Sequence, residues 1–278
     1  MKFKFLGTAA AEALPGPFCA CERCKAARAE GGRSIRGRSQ AVIDDTLLID
    51  FPAETASRAL QGHVDLTKVK HCLITHSHQD HVYPEEAAML QKGFSHPVEE
   101  TPFTFYGSPE SLNLFRNRSP KTAISEGRVA LCEVKPFVPF TVDKYTVVAF
   151  PANHGPAGSL FYQISDVETT VLYAHDTGCF FDSVWEWMAQ NKPQYGLITL
   201  DCTGGNYPEG YRDGHMRLAT CAEMRDQLAN LGYITEKTLQ FVNHFTHNCV
   251  GTHSELCEQA AEYGFQVSYD NAEFTIKG

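Results

Sequence analysis

Short apolar runs recur along the chain, and one of them leads directly into a cluster of potential metal ligands. The run from Val69 to Thr75 precedes the segment His76-Ser77-His78-Gln79-Asp80-His81. A short apolar run of this kind predicts a buried strand. Tyr83-Pro84-Glu85 then places a proline and acidic residues where a helix would begin. The pattern therefore predicts a strand, a ligand-bearing loop and a helix, in that order.

Four other apolar runs also end close to a residue that can bind a metal or orient a ligand. They are Leu47-Leu48-Ile49 before Asp50, Val147-Val148-Ala149-Phe150 before His154, Thr170-Val171-Leu172-Tyr173 before Asp176, and Leu239-Gln240-Phe241-Val242 before His244. In layered α/β folds, the loops at the ends of the strands gather the functional site. Met1 to Leu6 alternates lysine with phenylalanine and leucine, which predicts a first strand and not a signal peptide.

The spacing of the first ligand cluster indicates a site for two metal ions. In an extended backbone the side chains of His76 and His78 point to the same side and can hold one ion. Asp80 and His81 then turn the other way and can hold a second ion. Four ligands cannot saturate two ions, so the downstream histidines and aspartate should complete the site. Clustered nitrogen and oxygen ligands suit zinc, manganese or iron.

Ten cysteines occur in the chain, and three of them are closely spaced. Cys19-x-Cys21-x2-Cys24 follows Pro15-Gly16-Pro17, in a segment with little to bury. Three thiols at this spacing suit a structural zinc ion that still lacks a fourth ligand. The alternative is that these cysteines bind no metal in a reducing cell. Most of the other cysteines are scattered singly on apolar patterns and are expected to be small core residues: Cys72, Cys132, Cys179, Cys221 and Cys257.

The best candidate for the fourth ligand of this zinc knuckle is His247. It lies three residues after His244, so one loop could serve both kinds of metal site. Cys249 and His253 are the alternatives. We therefore expect one structural zinc ion around residues 19–24 in addition to the two ions of the main site.

The composition limits the class of protein. Of the 278 residues, 43% are hydrophobic and 21% are charged, which is ordinary for a globular protein. No low-complexity tract or repeat divides the chain, so we expect one domain over residues 1–278. The net charge of -9 argues against a general nucleic-acid binder. No apolar stretch approaches membrane-spanning length. We expect a cytoplasmic protein with no membrane partner, and the sequence leaves a homodimer open.

The ordered ligands resemble those of the metallo-β-lactamase superfamily of hydrolases over nearly the whole chain. The resemblance implies an α/β fold, an αββα sandwich of two mixed sheets with outer helices. Carried over position by position, it implies that the first metal is bound by His76, His78 and His154, the second by Asp80, His81 and His244, and that Asp176 bridges both. Asp50 would orient a ligand histidine from behind.

The zinc knuckle narrows the resemblance to the phosphoribosyl cyclic phosphodiesterase, or PhnP-like, branch. Members of that branch open a cyclic phosphate diester and carry a structural zinc beside a two-metal centre. The resemblance thus implies two divalent ions, zinc or manganese, and one structural zinc. It does not fix the substrate, because relatives with a knuckle could act on other phosphodiesters.

His215 and Asp201 are the remaining candidates for catalysis. His215 follows the predicted strand 196–201 and precedes a helical run from Arg217 to Leu231. The resemblance implies that His215 touches the scissile phosphate and that Asp201 supports it. The alternative is a solvated residue at a helix start. Four histidines lack such a context and are left out of the site: His63, His71, His96 and His175.

A locally basic segment spans residues 23–38 of this acidic protein. We expect it to be a solvated surface segment. The alternative is that Arg36 or Arg38 steers an anionic substrate towards the metals.

Together these features predict a metal-dependent phosphodiester hydrolase. Two divalent ions, two ligand aspartates and a bridging hydroxide would leave a net charge of about +1, which favours an anionic diester. The hydroxide that bridges the metals would be the nucleophile. Asp80, His215 and Asp201 are assigned to catalysis, and the expected substrate is a small cyclic phosphate diester.

Other activities of the superfamily remain open. The same metals could serve a lactone or thioester hydrolase, or a phosphodiesterase of the tRNA 3′-processing type. A non-catalytic member that binds a small molecule is a further alternative, although such a member would be expected to have lost a metal ligand.

Overall fold

Two seven-stranded sheets carry the fold in the part of the chain that the computed structural model describes, residues 1–96, 100–119 and 121–277. In chain order the strands are β1 (Lys2–Gly7), β2 (Gln40–Ile43), β3 (Leu47–Ile49), β4 (His71–Leu73), β5 (Phe103–Gly107), β6 (Val129–Glu133), β7 (Phe140–Val142), β8 (Tyr145–Pro151), β9 (Leu160–Ser165), β10 (Thr170–Ala174), β11 (Leu197–Asp201), β12 (Leu239–Asn243), β13 (Gln266–Val267) and β14 (Glu273–Thr275). The helices are α1 (Glu22–Glu30), α2 (Thr55–Leu60), α3 (Pro109–Arg118), α4 (Lys121–Ser125), α5 (Asp182–Asn191), α6 (Leu218–Asn230) and α7 (His253–Glu262), with 3₁₀ helices at Gly32–Ser34 and Pro84–Leu90.

The strand order brings the ends of the ligand-bearing strands together. The first sheet has the order β14-β1-β2-β3-β4-β5-β6, in which β3 to β6 are parallel. The second has the order β13-β12-β11-β10-β9-β8-β7, in which β10 to β13 are parallel. Because β9 is antiparallel to both β8 and β10, β8 runs in the same direction as β10. The C-terminal ends of β8, β10, β11 and β12 therefore share one edge of the second sheet.

The inner core lies between the two sheets, and helices cover their outer faces. Alternation along β10 shows the arrangement, since Val171 and Tyr173 pack in the inner core while Leu172 and Ala174 pack towards the helices. Residues of α5, α6 and α7 cover the second sheet, and those of α3 and α4 cover the first. The predicted αββα sandwich of two mixed sheets with outer helices is confirmed.

The strand that was predicted at the start of the chain is present. Phe3 and Phe5 are fully buried, whereas Lys2 and Lys4 are half-buried on the other face. The ring of Phe5 packs against that of Phe241 in the second sheet, with a centroid separation of 5.4 Å. The residues that the alternating pattern directs inward thus pack between the two sheets, where aromatic pairs of this kind contribute to the core.

Two local predictions were wrong. The helix expected after the ligand loop is a 3₁₀ helix, Pro84–Leu90, which ends where the backbone of Gln91 becomes extended. Cys132 was expected in the core but is exposed. It lies on β6, the edge strand of its sheet among the described residues, where only one side of the strand pairs with a neighbour.

Among the described residues, no helix combines the length and the apolar composition that crossing a membrane requires.

Candidate active site

The predicted metal ligands follow the ends of strands from both sheets and meet at one place. His76, His78, Asp80 and His81 follow β4, His154 follows β8, Asp176 follows β10, and His244 directly follows β12. Potential ligand atoms of these residues form overlapping groups in which all atoms lie within 4.8 Å of one another. The structure therefore brings together residues that are far apart in the sequence.

The first group consists of three histidines whose ring nitrogens approach each other closely. Nε2 of His76 lies 3.0 Å from Nδ1 of His78. The same Nδ1 atom lies 3.2 Å from Nε2 of His154. Three ring nitrogens at one point provide the protein ligands that an open, catalytic zinc-type site requires.

The second group contains two carboxylates and two histidines. Oδ2 of Asp176 lies 2.8 Å from Nε2 of His81 and 2.8 Å from Nε2 of His244. Oδ2 of Asp80 lies 3.3 Å from Nε2 of His81. The other oxygen of Asp176, Oδ1, lies 3.5 Å from Nε2 of His154, in the first group. Asp176 thus directs one oxygen to each group, which is the placement that a bridging ligand needs.

The buried polar atoms of the second group provide a test of whether a cation fits. Nε2 of His81, Nε2 of His244 and Oδ2 of Asp176 are buried and have no hydrogen-bond partner among the described residues. Buried polar atoms are nearly always hydrogen-bonded, so unsatisfied ones call for an explanation. These three atoms face one another without hydrogen-bond geometry. The donor set therefore fits a bound divalent cation.

The rear nitrogens of the ligand histidines are held by hydrogen-bond acceptors, which orients their rings. Oδ2 of Asp50 lies 2.7 Å from Nδ1 of His81, the location that the sequence assigned to Asp50. The backbone N–H and the hydroxyl of Thr75 donate to the same carboxylate. Nδ1 of His154 lies 3.0 Å from the carbonyl oxygen of Gly214. Such contacts behind the ligands fix the tautomer and leave the other ring nitrogen free for a metal.

Three residues of this cluster have left-handed backbone conformations, which the sequence did not predict. The φ angles are 68° for Asp50, 49° for Asp176 and 67° for His244. Each residue follows directly, or by two positions, the end of a strand. Strained conformations of non-glycine residues concentrate at functional sites, where the surrounding structure maintains them.

Two of the ligand histidines lie near enough to carboxylates to bind a proton in the absence of a metal. Burial disfavours the charged ring of His244, but the carboxylates of Asp176 and Asp201 outweigh it and raise the pKa to about 10. Burial also opposes the charged form of His81, and Asp176 and Asp50 raise its pKa well above the ordinary value. Histidine binds metals in its neutral form, so loading of this cluster releases protons and weakens as the pH falls.

His215 lies at the side of the metal-ligand cluster and is held by Asp201. Its Nδ1 atom lies 3.1 Å from Oδ2 of Asp201, which is fully buried at the end of β11. The ring of His215 stacks on that of His244, with a centroid separation of 5.7 Å and an interplanar angle of 15°. Burial opposes the charged form of His215, but Asp201 and Asp176 raise its pKa. The side chain remains 28% exposed, so solvent and small molecules can reach it.

The loop that carries His215 is anchored to the loops that carry two metal ligands. The side-chain amide of Asn153 donates to Oδ1 of Asp213 at 3.1 Å. The N–H of Cys179 donates to the carbonyl of Arg212 at 2.7 Å. A Cβ atom at Gly178 would lie only 2.2 Å from the same carbonyl, so this close approach requires glycine. His215 itself precedes the cap of α6, which is Arg217, so it is not part of the helix.

Several residues that support the site were missed by the sequence analysis. Thr75, Asn153 and Thr203 contact ligand residues or the loop of His215 through their side chains. Hydroxyl and amide residues are common in loops, so their type alone carries no signal. The spacing Asp201-x-Thr203 is typical of an aspartate-initiated turn, and this was the one available hint.

The structure brings the three cysteines of the knuckle together with His247. Sγ of Cys19 and Sγ of Cys21 each lie 3.7 Å from Nδ1 of His247. Cys24 belongs to the same group, in which all four ligand atoms lie within 4.8 Å of one another. The backbone N–H of Gly16 donates to Sγ of Cys24 at 3.3 Å, a contact that stabilises a thiolate. These four residues suit a tetrahedral structural zinc site, and zinc binding there stays a prediction.

The two alternatives for the fourth ligand lie elsewhere. Sγ of Cys249 lies 3.0 Å from the hydroxyl of Tyr211. Nδ1 of His253 accepts a hydrogen bond from the guanidinium of Arg36 at 2.8 Å. Neither belongs to the group of ligand atoms around the three thiols in the described part of the chain. The geometry therefore favours His247 among the three candidates.

The thiols of the knuckle differ in acidity in a way that suits metal binding. The pKa of the Cys21 thiol is lowered to about 6, mainly because its sulfur accepts a hydrogen bond from the backbone N–H of Cys24. Burial raises the pKa of Cys24 to about 11. At neutral pH one thiolate is therefore ready to bind a cation, and the charge of that cation would favour ionisation of the buried thiol.

Arg36 has a structural role, and the hypothesis that it steers the substrate was wrong. Its side chain is 2% exposed. The guanidinium donates to the hydroxyl of Thr8 at 2.8 Å and to the carbonyl of Ser268 at 2.6 Å. Arg38 remains partly exposed and pairs with Glu54 at 3.1 Å. The segment 23–38 is therefore not a uniformly solvated surface.

The histidines that were left out of the site lie outside the groups of potential metal ligands in the described residues. His175 is the informative case, because it is adjacent to Asp176 in the sequence. It is fully buried, and its Nε2 atom lies 2.8 Å from the hydroxyl of Thr199. Its ring nitrogens thus find hydrogen-bond partners among buried side chains and need no metal.

Cys21→Ser is expected to remove the knuckle zinc and to lower the stability of the fold more than the rate of hydrolysis. Because Cys21 is exposed, this substitution leaves the packing of the core intact. Binding free energy at a structural zinc site is folding free energy, about 10–16 kcal/mol in zinc-finger peptides at neutral pH. Zinc content per chain and the thermal midpoint measure the two effects.

Cys132→Ser is the matched control for this variant. Cys132 is also an exposed cysteine but lies on β6, outside the knuckle group. The control should keep the zinc content and the thermal midpoint of the parent protein. Unchanged zinc in Cys21→Ser, or equal losses in both variants, would remove the zinc assignment.

Comparison with protein families identifies one match over most of the chain. The model described as a beta-lactamase superfamily domain matches residues 42–236. This range includes the ligand loop after β4 as well as His154, Asp176 and His215, and it leaves out the knuckle cysteines and His244. A comparison with curated proteins gave no significant match.

Several solved structures are similar to this one. A new diphosphatase from the PhnP family has a TM-score of 0.74 at 16% identity, with 99% of this chain and 98% of that chain covered. Zn(2+)-bound PqqB from Methylobacterium extorquens has a TM-score of 0.74 at 16% identity, with 99% and 100% covered. Human tRNase Z, short form, has a TM-score of 0.65 at 16% identity, with 99% of each chain covered. At these identities the likeness shows the fold.

Proposed function

The chain belongs to the beta-lactamase superfamily of metal-dependent hydrolases, and we propose that it hydrolyses a small cyclic phosphate diester, such as a phosphoribosyl cyclic phosphate. One observation carries the proposal. The ring of His215 is held by Asp201 beside the two groups of metal ligands, at 3.1 Å from Nδ1 to Oδ2. Its Nε2 atom has no hydrogen-bond partner among the described residues and is available to a substrate.

The ligand groups support a centre of two divalent ions, zinc or manganese. When bound, two such ions supply a polarised water as nucleophile and positive charge for the phosphoryl oxygens. His76, His78 and His154 would hold one ion, and Asp80, His81 and His244 the other. Asp176 would contribute one oxygen to each. The residues behind the ligands keep the ring orientations fixed before the substrate arrives.

The charges of the cluster favour an anionic substrate. Asp80 and Asp176 are the carboxylates that face the ring nitrogens left for a metal, and they would offset half of the positive charge that two divalent ions bring. The carboxylates of Asp50 and Asp201 lie behind the ligand histidines, near Nδ1 of His81 and of His244, and accept hydrogen bonds from backbone N–H groups. The ions and the groups that would bind them directly would therefore carry a net positive charge, which would stabilise a phosphate diester and its transition state.

His215 would act on the phosphoryl group or on the leaving oxygen. Hydrogen bonding of its Nδ1–H to Asp201 fixes the tautomer and sets the direction of Nε2. In this position a protonated ring can stabilise negative charge on the phosphoryl oxygens or donate a proton to the alkoxide that leaves. A neutral lactone would need neither contribution to the same extent.

The described relatives with this fold act on different substrates, so the fold alone does not choose among them. One is a diphosphatase of the PhnP family, one is tRNase Z, and one is an isothiocyanate hydrolase. The His215–Asp201 pair and the cysteine knuckle support a phosphodiesterase related to the PhnP family. The net charge of -9 argues against a long RNA substrate.

The test is a comparison of substrates with the metal-loaded enzyme. The panel contains a ribose cyclic phosphate, a nucleoside cyclic phosphate, bis-p-nitrophenyl phosphate, a precursor tRNA, a lactone and a β-lactam. We expect the highest kcat/KM on a small cyclic phosphate, and loss of that activity after treatment with a chelator. A preference for the lactone, the β-lactam or the precursor tRNA would contradict the proposal. Binding of a small phosphate without turnover, with both metals present, would point to a non-catalytic member.

A further inference from the structure

We infer that Thr203 is a positioning residue whose single hydroxyl aligns a metal ligand and the substrate-facing histidine with each other. The inference rests on the proposed metal centre and not on the identity of the substrate. Oγ1 of Thr203 lies 2.8 Å from Nδ1 of His244 and 3.2 Å from Nδ1 of His215. It also lies 3.3 Å from Oδ2 of Asp201.

The positions of the protons follow from the role of His244. Its Nε2 atom faces Oδ2 of Asp176 at 2.8 Å and would bind the metal, so Nδ1 must carry the ring proton. That proton is donated to Oγ1 of Thr203. The hydroxyl proton of Thr203 is in turn donated to the carbonyl oxygen of His244 at 2.9 Å. The hydroxyl therefore fixes both the ring and the backbone of one ligand residue.

The same atom sets the orientation of His215. Nδ1 of His215 lies 3.1 Å from Asp201 and 3.2 Å from Thr203, so its proton is shared between a carboxylate and a hydroxyl oxygen. With both Nδ1 atoms held at one point, the rings of His215 and His244 lie 15° from parallel. The hydroxyl thus holds the substrate-facing histidine in a fixed orientation relative to the metal ligand.

Asp201 anchors this arrangement through the backbone. It accepts hydrogen bonds from the N–H groups of Asp176 at 3.0 Å, Thr203 at 3.0 Å and Met216 at 3.1 Å. These donors occupy both of its oxygens. Asp176, Asp201, His215 and His244 lie close enough to hold an ion, but an aspartate already engaged in this way is a positioning group and not a ligand.

The hydroxyl of Thr203 can be tested separately from the turn in which the residue lies. The turn depends on the backbone N–H of Thr203, which donates to Oδ1 of Asp201, and a valine retains that N–H. Thr203 is only 7% exposed, so water cannot readily replace the lost hydroxyl. Loss of a contact behind a metal ligand typically lowers metal affinity by about 10–100-fold.

The experiment compares Thr203→Val with Thr203→Ser and with a matched control. Thr199→Val is the control, because Thr199 is a fully buried residue of β11, the strand that precedes Thr203, and its hydroxyl also meets a histidine, His175. Metal-depleted proteins are titrated with cobalt(II) against a competing chelator. Thiolate-to-cobalt absorption identifies the knuckle, so the ions bound by nitrogen and oxygen ligands can be counted apart from it.

We expect Thr203→Val to bind one active-site ion about 10–100-fold more weakly, and to lose kcat with little change in KM. Thr203→Ser should restore both properties, and Thr199→Val should keep the metal affinity of the parent protein even if its thermal midpoint falls. Unchanged cobalt affinity in Thr203→Val, or an equal loss in Thr199→Val, would overturn the inference.

A second pair of variants covers the case in which Thr203→Val does not fold. Thr203→Ala removes the hydroxyl without adding a branched methyl group, and Thr199→Ala is its control. The expected and contradicting results are the same. Because the titration needs no substrate, it can succeed even if the phosphodiesterase proposal fails. A failure of the titration would likewise leave the substrate comparison valid.

Discussion

Asp80→Ala is expected to abolish hydrolysis and to deplete one of the two active-site metals while the fold survives. Oδ2 of Asp80 lies 3.3 Å from Nε2 of His81. That nitrogen is buried and has no hydrogen-bond partner among the described residues. Burial opposes ionisation, but His81 lowers the pKa of Asp80, so the carboxylate is charged and available as a ligand. Asp80 lies in a turn after β4 and belongs to none of the hydrophobic core clusters of the described residues.

The loss should exceed the roughly 100-fold effect that removal of a contact behind a ligand can produce, because the ligand itself is removed. Metal content per chain, the thermal midpoint and kcat are measured on the same preparation. Asp226→Ala is the matched control, since Asp226 is an exposed aspartate on α6 that pairs with Arg225. Near-normal turnover by Asp80→Ala would show that the two-metal hydrolase hypothesis is wrong.

His215→Ala should lower kcat on a phosphodiester by about 10²–10³-fold, the usual cost of removing one group that stabilises transition-state charge. Both active-site metals should remain, because the ring of His215 contacts the ligands from the side and its Nδ1 atom is 3.8 Å from Asp176. Hydrolysis of a neutral lactone, if it occurs at all, should change little. This difference between substrates links the histidine to the phosphoryl group.

His63→Ala is the control for that variant, since His63 lies outside the groups of potential ligands. Equal losses of His215→Ala on both classes of substrate, or none on either, would indicate a structural His215. The carboxylate behind it provides a less specific test. Asp201→Asn would disturb the backbone of Asp176 as well as the ring of His215, because Oδ2 accepts a hydrogen bond from the N–H of Asp176. A loss of metal is therefore expected in Asp201→Asn and not in His215→Ala.

The sequence by itself determined the fold class and the superfamily. Alternation in the first strand, the apolar runs and the order of the ligands behind them are local patterns. Local patterns can be recognised in a sequence because the direction of each side chain follows the periodicity of the backbone. The sequence also predicted which residues would meet. The histidines and the aspartate of the segment His76–His81 are ligands that divalent metal ions accept. The other ligands each follow a strand, and those strands end at a common edge of the second sheet.

The cysteine knuckle could be predicted from the sequence for a different reason. Its three cysteines lie within six residues, so their proximity is guaranteed by the chain. Only the fourth ligand required a long-range contact, and there the sequence left three candidates. His247 lies 228 positions from Cys19, and the fold decided among the three by bringing its Nδ1 atom to 3.7 Å from Sγ of Cys19.

The tertiary structure alone decided how the site is supported. Thr203 meets His244 across 41 positions of the sequence, and Asn153 meets Asp213 across 60. The basic composition of residues 23–38 likewise gave no sign that Arg36 is buried. Its guanidinium donates to the carbonyl of Ser268, which lies 232 positions away in the sequence. Hydroxyl groups and backbone carbonyls occur throughout any chain, so their residue types do not reveal which of them will orient a ligand. That choice depends on how strands from two sheets are packed, which is a property of the whole fold and of no single segment.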